Sequence, residues 1–392
     1  MTTHVHPAHP ADQQDRPAAN NPGKPGNTAA WIPARKARLQ VGPAPVPTPR
    51  ADEVVVANRA VAVNPIDWVI QDTGSLIFRW ITYPFVLGSD LAGDVVAVGS
   101  AVTRFAVGDR VLSHAVGVDR KRNSAAEGSF QERTVALERM SCPIPDAMTY
   151  QDAAVLPLGV STAACGLFQR DHLGLAQPSA EPAPTGQTVL VWGGSTSVGS
   201  NAIQLAVAAG YEVVTTASPK NGDYVRALGA AAVVDHNSPS AVADVIAALA
   251  GKEVAGALAI GTGSARACSD VVAACEGRRF VSMVTPPASL GAPPAGAGDM
   301  LRLLPRTVGS VASLAVRNRM RHIDTRSVFG TTLMDNEVCR AVYEDFLPAA
   351  LAQGRYVAAP PARIVGSGLD AIQAALDLQR DGVSAQKVVV SL

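Results

Sequence analysis

The feature that most constrains this chain is an apolar strand that runs directly into a glycine-rich turn and then into a helix. Residues 188–192 read Thr-Val-Leu-Val-Trp, residues 193–197 read Gly-Gly-Ser-Thr-Ser, and an alanine-rich helix is predicted over 198–210. A continuously apolar strand is typical of a parallel sheet that is covered on both faces. The turn would leave free backbone N–H groups at a helix N-terminus, where phosphate groups bind. The strict G-x-G-x-x-G spacing is absent, so the glycines alone are weak evidence. The location of this turn between a strand and a helix is what predicts a dinucleotide site.

The same alternation continues beyond the turn. Strands are predicted at 212–216, 231–234, 256–260 and 279–284, and helices at 223–228, 241–250 and 269–275. Strands that alternate with helices at this spacing form βαβ units with right-handed crossovers. We therefore predict an α/β protein in which this part of the chain is a doubly wound parallel sheet, the Rossmann architecture.

The first part of the chain has a different pattern. Residues 54–57, 60–63 and 94–98 are apolar or β-branched runs separated by turn residues, as in a compact β-barrel-like unit. A proline-rich stretch over 176–186 would connect this unit to the parallel sheet. The remaining predictions are a loop over 286–305, helices near 336–353 and 369–380, and a closing strand over 386–390.

Composition limits the classes of function. Lys plus Arg and Asp plus Glu are both 33 in 392 residues, so a net charge of zero offers no general attraction to nucleic acid or to an anionic membrane. No apolar run reaches the roughly 18 residues that span a bilayer. The five cysteines are scattered, without the spacing of a disulfide scaffold, which favours a reducing compartment. We expect a cytoplasmic protein.

The N-terminal 30 residues are rich in proline and poor in large apolar residues. This composition predicts a disordered extension over 1–30 without a secretory signal. Three histidines, His4, His6 and His9, alternate in this tail. Metal binding is one interpretation of that pattern, and a solvated extension is the other.

The end of the second strand of the parallel sheet indicates which dinucleotide would bind. NAD sites place Asp or Glu there to hold the ribose 2′-hydroxyl. Residues 212–218 read Glu-Val-Val-Thr-Thr-Ala-Ser, and no acid ends the strand. The next residues offer a hydroxyl, a cation and an amide, which suit a 2′-phosphate. They are Ser218, Pro219, Lys220 and Asn221. NADPH is therefore the predicted cofactor; the alternative is an ordinary polar turn with an exposed lysine.

Further motifs occur in both halves of the chain. They lie at 64–68 (Asn-Pro-Ile-Asp-Trp), 85–93, 99–111, 128–132, 156–162, 193–199, 218–221 and 387–389. Through these motifs the chain over 31–392 resembles the zinc-free medium-chain dehydrogenases/reductases. It is most similar to trans-acting enoyl reductases of polyketide synthesis and to quinone-oxidoreductase-like proteins. The resemblance implies a GroES-like β-barrel catalytic domain and a Rossmann domain with a cleft between them. The implied limits are 31–160 for the first part of the catalytic domain, 161–320 for the Rossmann domain, and 321–392 for the return.

The resemblance also implies that no metal is bound. Zinc-dependent relatives use cysteine and histidine ligands at three motif positions. The matching positions here hold Asn64 or its neighbours, Ser89 and Leu158, none of which is a thiolate or imidazole ligand. A metal-free site with NADPH suits reduction of an activated C=C bond, in which the conjugated carbonyl takes up the negative charge.

The resemblance assigns residues to parts of the site. Around the nicotinamide and its ribose it places Asn64, Pro65, Ile66, Asp67, Ser161 and Thr162. The pyrophosphate would lie on Ser195, Thr196, Ser197 and Val198, and the 2′-phosphate on the segment from Ser218 to Asn221. His236 would lie beside the adenine, and Ile260, Gly261, Val284 and Thr285 near the nicotinamide. Ser384 completes the cofactor-binding set. Gly128, Ser129, Phe130, Gln131, Glu132, Arg133 and Thr134 would line the substrate cleft.

The candidate catalytic residues are Asp67, Thr162 and Tyr83. Some relatives carry a lysine two residues after the aspartate, but that position is Val69 here. Tyr83 is the nearest tyrosine, at a poor spacing, so the proton donor stays open and solvent is an alternative. His114 is a second candidate, with a structural role as the alternative. Asp67 could equally form the turn beside the adjacent proline.

Three functions follow as hypotheses. The first is an NADPH-dependent reductase of a small-molecule or carrier-bound enoyl or enone substrate; the alternatives are a quinone oxidoreductase and a non-catalytic NADPH-binding protein. An acyl carrier protein or a synthase is a candidate partner, and we expect no nucleic acid or membrane partner and a monomer or homodimer. A basic run could receive a substrate phosphate or could be a solvated face. Its residues are Arg317, Arg319, Arg321, His322 and Arg326.

Overall fold

The computed structural model describes residues 26–74, 78–286, 309 and 311–392. Residues 1–25 of the predicted extension, which include its three histidines, lie outside the described residues. Residues 287–305 of the predicted loop also lie outside them. Residues 26–30 correct the predicted limit of the extension. Residues 27–30 form the first part of strand β1, Asn27–Ile32. The buried side-chain amide of Asn27 helps to hold this strand, since it donates a hydrogen bond to Gln131 at 3.0 Å.

The strands are β1 Asn27–Ile32, β2 Gln40–Ala44, β3 Glu53–Ala62, β4 Phe85–Val86, β5 Asp90–Val98, β6 Arg110–His114, β7 Arg133–Leu137, β8 Ser141–Pro143, β9 Gln187–Trp192, β10 Glu212–Ala217, β11 Ala232–Asp235, β12 Glu253–Ala259, β13 Phe280–Met283, β14 Asp324–Ser327, β15 Ala362–Ser367 and β16 Lys387–Ser391.

The α-helices are α1 Pro65–Thr73, α2 Tyr150–Ala153, α3 Pro157–Phe168, α4 Ser197–Ala208, α5 Gly222–Ala227, α6 Ala241–Ala248, α7 Ser264–Ala274, α8 over 311–320, α9 Glu337–Arg340, α10 Leu347–Ala352 and α11 Ile372–Asp381. A π-helix, Ala341–Phe346, joins α9 to α10. Short 3₁₀ segments are Ala125–Glu127, Glu138–Met140, Pro219–Asn221, Gly330–Asp335 and Leu369–Ala371. No helix in these described ranges is long and apolar enough to cross a membrane.

The N-terminal part forms the predicted β unit. A seven-stranded sheet has the order β15-β16-β3-β5-β6-β8, with β7 paired to β3, and a smaller sheet has the order β2-β1-β4. Side chains such as Val56, Leu91 and Val111 fill a common core. The runs predicted at 54–57 and 60–63 are one strand, β3. The polar Asn58 interrupts the apolar run where the register with β5 shifts, and this explains the error.

The second unit confirms the predicted doubly wound sheet. Its six parallel strands have the order β11-β10-β9-β12-β13-β14. The continuous apolarity of β9 has a direct explanation. Val189 and Val191 pack in the core that contains helices α3 and α4, whereas Leu190 and Trp192 pack in the core that contains α6 and α7. The chain order reverses between β9 and β12, and ligands of such sheets bind in the crevice at this point.

The C-terminal part links the two units. Strand β14 pairs with β13 in the parallel sheet, so the chain has not yet left that sheet at Ser327. The predicted return at residue 321 therefore begins too early, because the first later strand to join the seven-stranded sheet is β15, Ala362–Ser367. The other domain limits remain predictions.

Candidate functional site

Four of the predicted cofactor-binding segments follow strands β9, β10, β12 and β13. They are 195–198, 218–221, Ile260 with Gly261, and Val284 with Thr285. The carboxyl ends of parallel strands share one edge, so these segments meet along the crevice between β9 and β12. The backbone N–H of Gly261 donates to Thr285 Oγ1 at 2.8 Å, which joins the last two segments directly.

The turn after β9 is shaped by glycine. Gly193 has φ of 92°, a conformation that favours glycine, and a Cβ on Gly199 would lie 2.1 Å from the Gly193 oxygen. Thr196 caps helix α4, since its hydroxyl accepts the Gly199 N–H at 3.0 Å and donates to the Gly193 oxygen at 2.8 Å. The remaining N–H groups at this N-terminus are positioned to receive an anion.

One side chain at this turn supports the assignment to a diphosphate. The Ser197 hydroxyl oxygen is buried and has no hydrogen-bond partner in the described part of the chain. A Cβ on Gly159, near the start of α3, would lie 2.8 Å from this oxygen, so α3 approaches the turn closely there. A free hydroxyl beside a helix N-terminus fits the pyrophosphate of a dinucleotide.

The group predicted to bind the 2′-phosphate is assembled from both units. The Asn221 amide donates to the Ser218 hydroxyl at 3.2 Å and to the Ser384 hydroxyl at 3.1 Å. Lys220 is exposed beside them, and His236 is exposed after the neighbouring strand β11. Ser384 therefore lies with Ser218 and Asn221 although 163 positions separate it from Asn221.

The predicted nicotinamide segment 64–67 begins helix α1. The Asp67 carboxylate accepts the Asn64 N–H at 2.8 Å and the Gly88 N–H at 3.2 Å, and its side chain is fully buried. Burial raises the pKa of Asp67 to about 7, while the hydrogen bond from Asn64 opposes that rise. Because both oxygens are held by backbone donors, the structure favours the turn-forming interpretation of Asp67.

A buried charged network adjoins this segment. The Lys387 ammonium contacts Asp90 Oδ2 at 2.8 Å and the Asn64 side-chain oxygen, and the Asn64 amide nitrogen donates to the same Asp90 oxygen at 2.7 Å. The other Asp90 oxygen accepts the Leu158 N–H at 2.6 Å. Lys387 is 4% exposed and Asp90 is fully buried. Lys387 and Asp90 lie within the motifs at 387–389 and 85–93, but no role is predicted for either from the sequence.

His114 borders the same network. It pairs with Asp90 across strands β5 and β6, is buried, and its Nδ1 has no partner in the part of the chain that is described. Burial lowers the pKa of His114 to about 4, against the influence of Asp90. The imidazole of His114 is therefore neutral near pH 7. If His114 donated a proton at that pH, the proton would have to come from the N–H group of the neutral ring.

Helix α3 carries the predicted pair Ser161 and Thr162. The Tyr343 hydroxyl donates to the Pro157 oxygen at 3.0 Å, so Ser161 donates to Tyr343 at 2.8 Å and its hydroxyl is occupied in the core. Thr162 is 7% exposed, and a Cβ on Gly330 would lie 2.6 Å from its hydroxyl oxygen. Thr162 is thus the better placed of the two for a ligand.

Tyr83 lies away from these contacts. It precedes strand β4, which pairs with β1, and its hydroxyl oxygen has no hydrogen-bond partner among the described residues. Burial raises the pKa of the Tyr83 phenol, while Arg35 lowers it. No described hydrogen bond joins Tyr83 to the network of Asn64, Asp90 and Lys387, so its catalytic role stays a prediction.

The predicted substrate segment 128–134 holds the β unit together. Gln131 accepts from Asn27 and donates to the Gly128 oxygen at 2.7 Å, and the Glu132 side chain accepts the Thr28 N–H at 3.1 Å. The same segment contains the buried Ser129, Phe130 and Thr134, and it also contains Arg133, which donates to the Gly26 oxygen at 2.6 Å. These contacts support a scaffolding role, and a role in substrate binding stays a prediction.

In the described part of the chain, the remaining reactive groups form neither a cluster of metal ligands nor an activated thiol. Within the described residues, no cluster of three His, Cys, Asp or Glu side chains could hold a metal ion. Burial raises the pKa of Cys165 to about 12, which leaves this thiol protonated at neutral pH.

Three arginines of the basic run are paired with acidic residues. Arg317 and Arg321 both contact Asp270, the latter at 2.8 Å, and Arg326 contacts Asp171 at 2.9 Å. These pairs favour the interpretation as a solvated surface, because partly exposed ion pairs are common on protein surfaces. Docking of a substrate phosphate on this run remains a prediction.

Comparisons with known proteins agree with this geometry. Residues 50–146 match the alcohol dehydrogenase GroES-like domain family. A dehydrogenase of Monascus ruber, pigH, is 52% identical over 94% of this chain and 100% of its own length. A trans-enoyl reductase of Aspergillus japonicus, himH, is 40% identical over 93% of this chain and 97% of its own length.

Solved structures share the fold over nearly the whole chain. An alcohol dehydrogenase superfamily protein from Novosphingobium aromaticivorans has a TM-score of 0.69 at 25% identity, covering 93% of this chain and 99% of its own. The CurK enoyl reductase has a TM-score of 0.67 at 20% identity with the same coverage. Three observations agree: the match to the GroES-like domain, the parallel sheet with its reversal of strand order, and the identity to these relatives. The chain therefore belongs to the medium-chain dehydrogenase/reductase superfamily, a family of oxidoreductases.

Proposed function

We propose that this enzyme is an NADPH-dependent reductase that transfers hydride to an activated C=C bond of an enoyl thioester or enone, without a metal ion. The similarity to the trans-enoyl reductase himH of Aspergillus japonicus supports an enoyl substrate. A carrier-bound substrate, an acyl carrier protein or synthase partner, a cytoplasmic location and a monomer or homodimer are parts of the same proposal.

The observation that carries the choice of NADPH is the polar group after β10. The hydroxyls of Ser218 and Ser384 lie 3.2 Å and 3.1 Å from the Asn221 amide nitrogen, and the exposed Lys220 adds a positive charge. A phosphate dianion is stabilised by such donors, whereas an NAD site uses a carboxylate to accept the ribose hydroxyls. The strand ends at Ala217 with no acid in this position.

The residues around the proposed nicotinamide position have roles in orientation and charge stabilisation. When bound, NADPH would supply the hydride that attacks the β-carbon of the substrate. Thr162 is a donor that could face the carbonyl oxygen, where negative charge develops, and the amide of Asn64 is a donor for the nicotinamide end of the cofactor. Asp67 fixes the turn that presents Asn64, and Ser197 with the N-terminus of α4 binds the pyrophosphate. The proton for the α-carbon has no assigned donor, and solvent is our proposed source.

The metal-free proposal rests on the types of ligand present and on the partners of the nearby oxygen atoms. Asn64 or its neighbours, Ser89 and Leu158 occupy the motif positions where zinc-dependent relatives are expected to have ligands. The side-chain oxygen of Asn64 and Asp90 Oδ2 already have a cationic partner, because both contact the Lys387 ammonium.

The test is NADPH oxidation with three acceptors: a crotonyl thioester, a small enone and a benzoquinone. We expect turnover with the thioester or the enone and weaker turnover with NADH. Turnover with the quinone alone would favour the oxidoreductase alternative. Tight NADPH binding without turnover of any acceptor would favour the non-catalytic alternative.

A further inference from the structure

The side-chain amide of Asn64 is held in one orientation by two charged groups. Its oxygen accepts from the Lys387 ammonium, and its nitrogen donates to Asp90 Oδ2 at 2.7 Å. An ammonium group only donates and a carboxylate only accepts, so reversing the amide would place donor against donor and acceptor against acceptor. Lys387 therefore determines which end of the Asn64 amide faces each neighbour.

The orientation has a consequence for ligand binding. An amide nitrogen carries two protons, and Asp90 accepts one of them. Among the described residues Asn64 Nδ2 has no second acceptor, so one proton is available. Asn64 is 1% exposed, and in such a buried place an unused donor has a strong preference for an incoming acceptor.

We propose that Lys387 is a positioning residue that orients Asn64, so that the second amide proton is donated to the nicotinamide end of the cofactor. This inference rests on the proposed function, since that function supplies the ligand. Lys387 begins strand β16, and the loop before it contains Ser384, which bonds to Asn221. One short C-terminal segment thus contributes to both ends of the crevice.

The test separates the two ends with two ligands. NADPH has both ends, whereas adenosine 2′,5′-bisphosphate lacks the nicotinamide. The variants are Asn64→Ala, the double variant Asp90→Asn/Lys387→Met, and the combined triple variant. The double variant removes both charges, so no buried charge is left unpaired, and thermal unfolding checks that it folds. Dissociation constants of both ligands are measured by calorimetry.

The expected pattern is specific. The double variant and Asn64→Ala each weaken NADPH binding about tenfold, the loss that accompanies one hydrogen bond. The triple variant weakens it no further, because both changes remove the same interaction. Binding of the bisphosphate stays unchanged in all three. As matched controls, Lys220→Ala weakens both ligands, and Lys252→Met, which removes an exposed lysine paired with Glu212, affects neither.

Other outcomes overturn the assignment. They are unchanged NADPH affinity in the double variant, a parallel loss of bisphosphate affinity, or independent, multiplicative losses in the triple variant. If wild-type protein turns over no acceptor but the expected binding pattern holds, the proposed function fails and the role of Lys387 stands. If wild-type protein does not bind NADPH, both proposals fail.

Discussion

The two ends of the proposed cofactor crevice are built in opposite ways. At the adenosine end, Ser218, Lys220 and Ser384 are at least partly exposed on loops. At the nicotinamide end, Asn64 and Asp90 are almost wholly buried and joined by hydrogen bonds to three parts of the chain. The first end can change with little effect on folding, whereas the second contributes to the fold itself. Substitutions at the two ends should therefore differ in what they disturb.

The largest expected effect is on stability at the buried end. Lys387→Met leaves Asp90 charged and without its cation, and breaking a buried pair in this way costs about 4 kcal/mol of unfolding free energy. The double variant Asp90→Asn/Lys387→Met should recover most of that loss. Chemical denaturation measures both values. Equal stability of Lys387→Met and the wild type would show that this ion pair does not stabilise the seven-stranded sheet.

The next effect is a pH dependence with two opposing contributions. The pKa of Asp67 is raised to about 7 in the folded state, so it binds more protons than the unfolded chain between about pH 4 and 7, and its contribution to stability falls as pH rises. The pKa of His114 is lowered to about 4, so its contribution rises with pH between about 4 and 6.5. The effect is on the order of 4 kcal/mol for Asp67 and 3 kcal/mol for His114.

Variants separate these contributions. Asp67→Asn should become more stable as pH rises from 4 to 6.5, because only the effect of His114 remains. His114→Leu should become less stable over the same range. Urea unfolding at several pH values provides the measurement. Profiles parallel to that of the wild type in both variants would contradict the opposing shifts.

A third prediction concerns the turn that lies between the two ends. Gly199→Ala places a Cβ 2.1 Å from the Gly193 oxygen, so the turn must open. We expect a cost of about 2 to 3 kcal/mol, seen as a loss of roughly a hundredfold in NADPH affinity. Gly42→Ala is the control, because its nearest neighbour is 4.0 Å away. Normal NADPH binding by Gly199→Ala would remove this turn from the cofactor site.

The smallest effect is expected at the exposed end. Lys220→Ala removes one solvent-exposed cation from the proposed 2′-phosphate site, so NADPH affinity should fall about tenfold while NADH affinity and stability stay constant. Fluorescence titration of the two nucleotides measures the ratio. An unchanged preference for NADPH over NADH would show that Lys220 does not bind the 2′-phosphate. In that case Ser218, Asn221 and Ser384 bind the phosphate without it, or the segment is an ordinary polar turn.

The fold was largely predictable because its signals are local. The apolar strand at 188–192 and the helices after it follow from short patterns, and the sheet order adds only their arrangement. Strand β1 was missed because its sequence lies beside a proline-rich tail, and two of the residues that hold it, Gln131 and Glu132, are distant in the chain.

The site was predictable to a smaller degree. The phosphate-binding turn has a local pattern, but Ser384 and the other loops were placed through the family resemblance. The contact of Lys387 with Asn64 joins residues 323 positions apart, and nothing in either local sequence indicates it. Burial also decided the state of Asp67 and His114, and burial of single polar residues depends on tertiary packing.

The most direct test of the proposed activity follows the hydride. Chelator-treated enzyme is incubated with NADPH deuterated at the transferred position of nicotinamide C4 and with a crotonyl thioester, and the product is examined by mass spectrometry and NMR. Our account predicts a saturated thioester with deuterium on the β-carbon and turnover that persists without metal. Deuterium at another carbon, no saturated product, or activity that requires added zinc would contradict it.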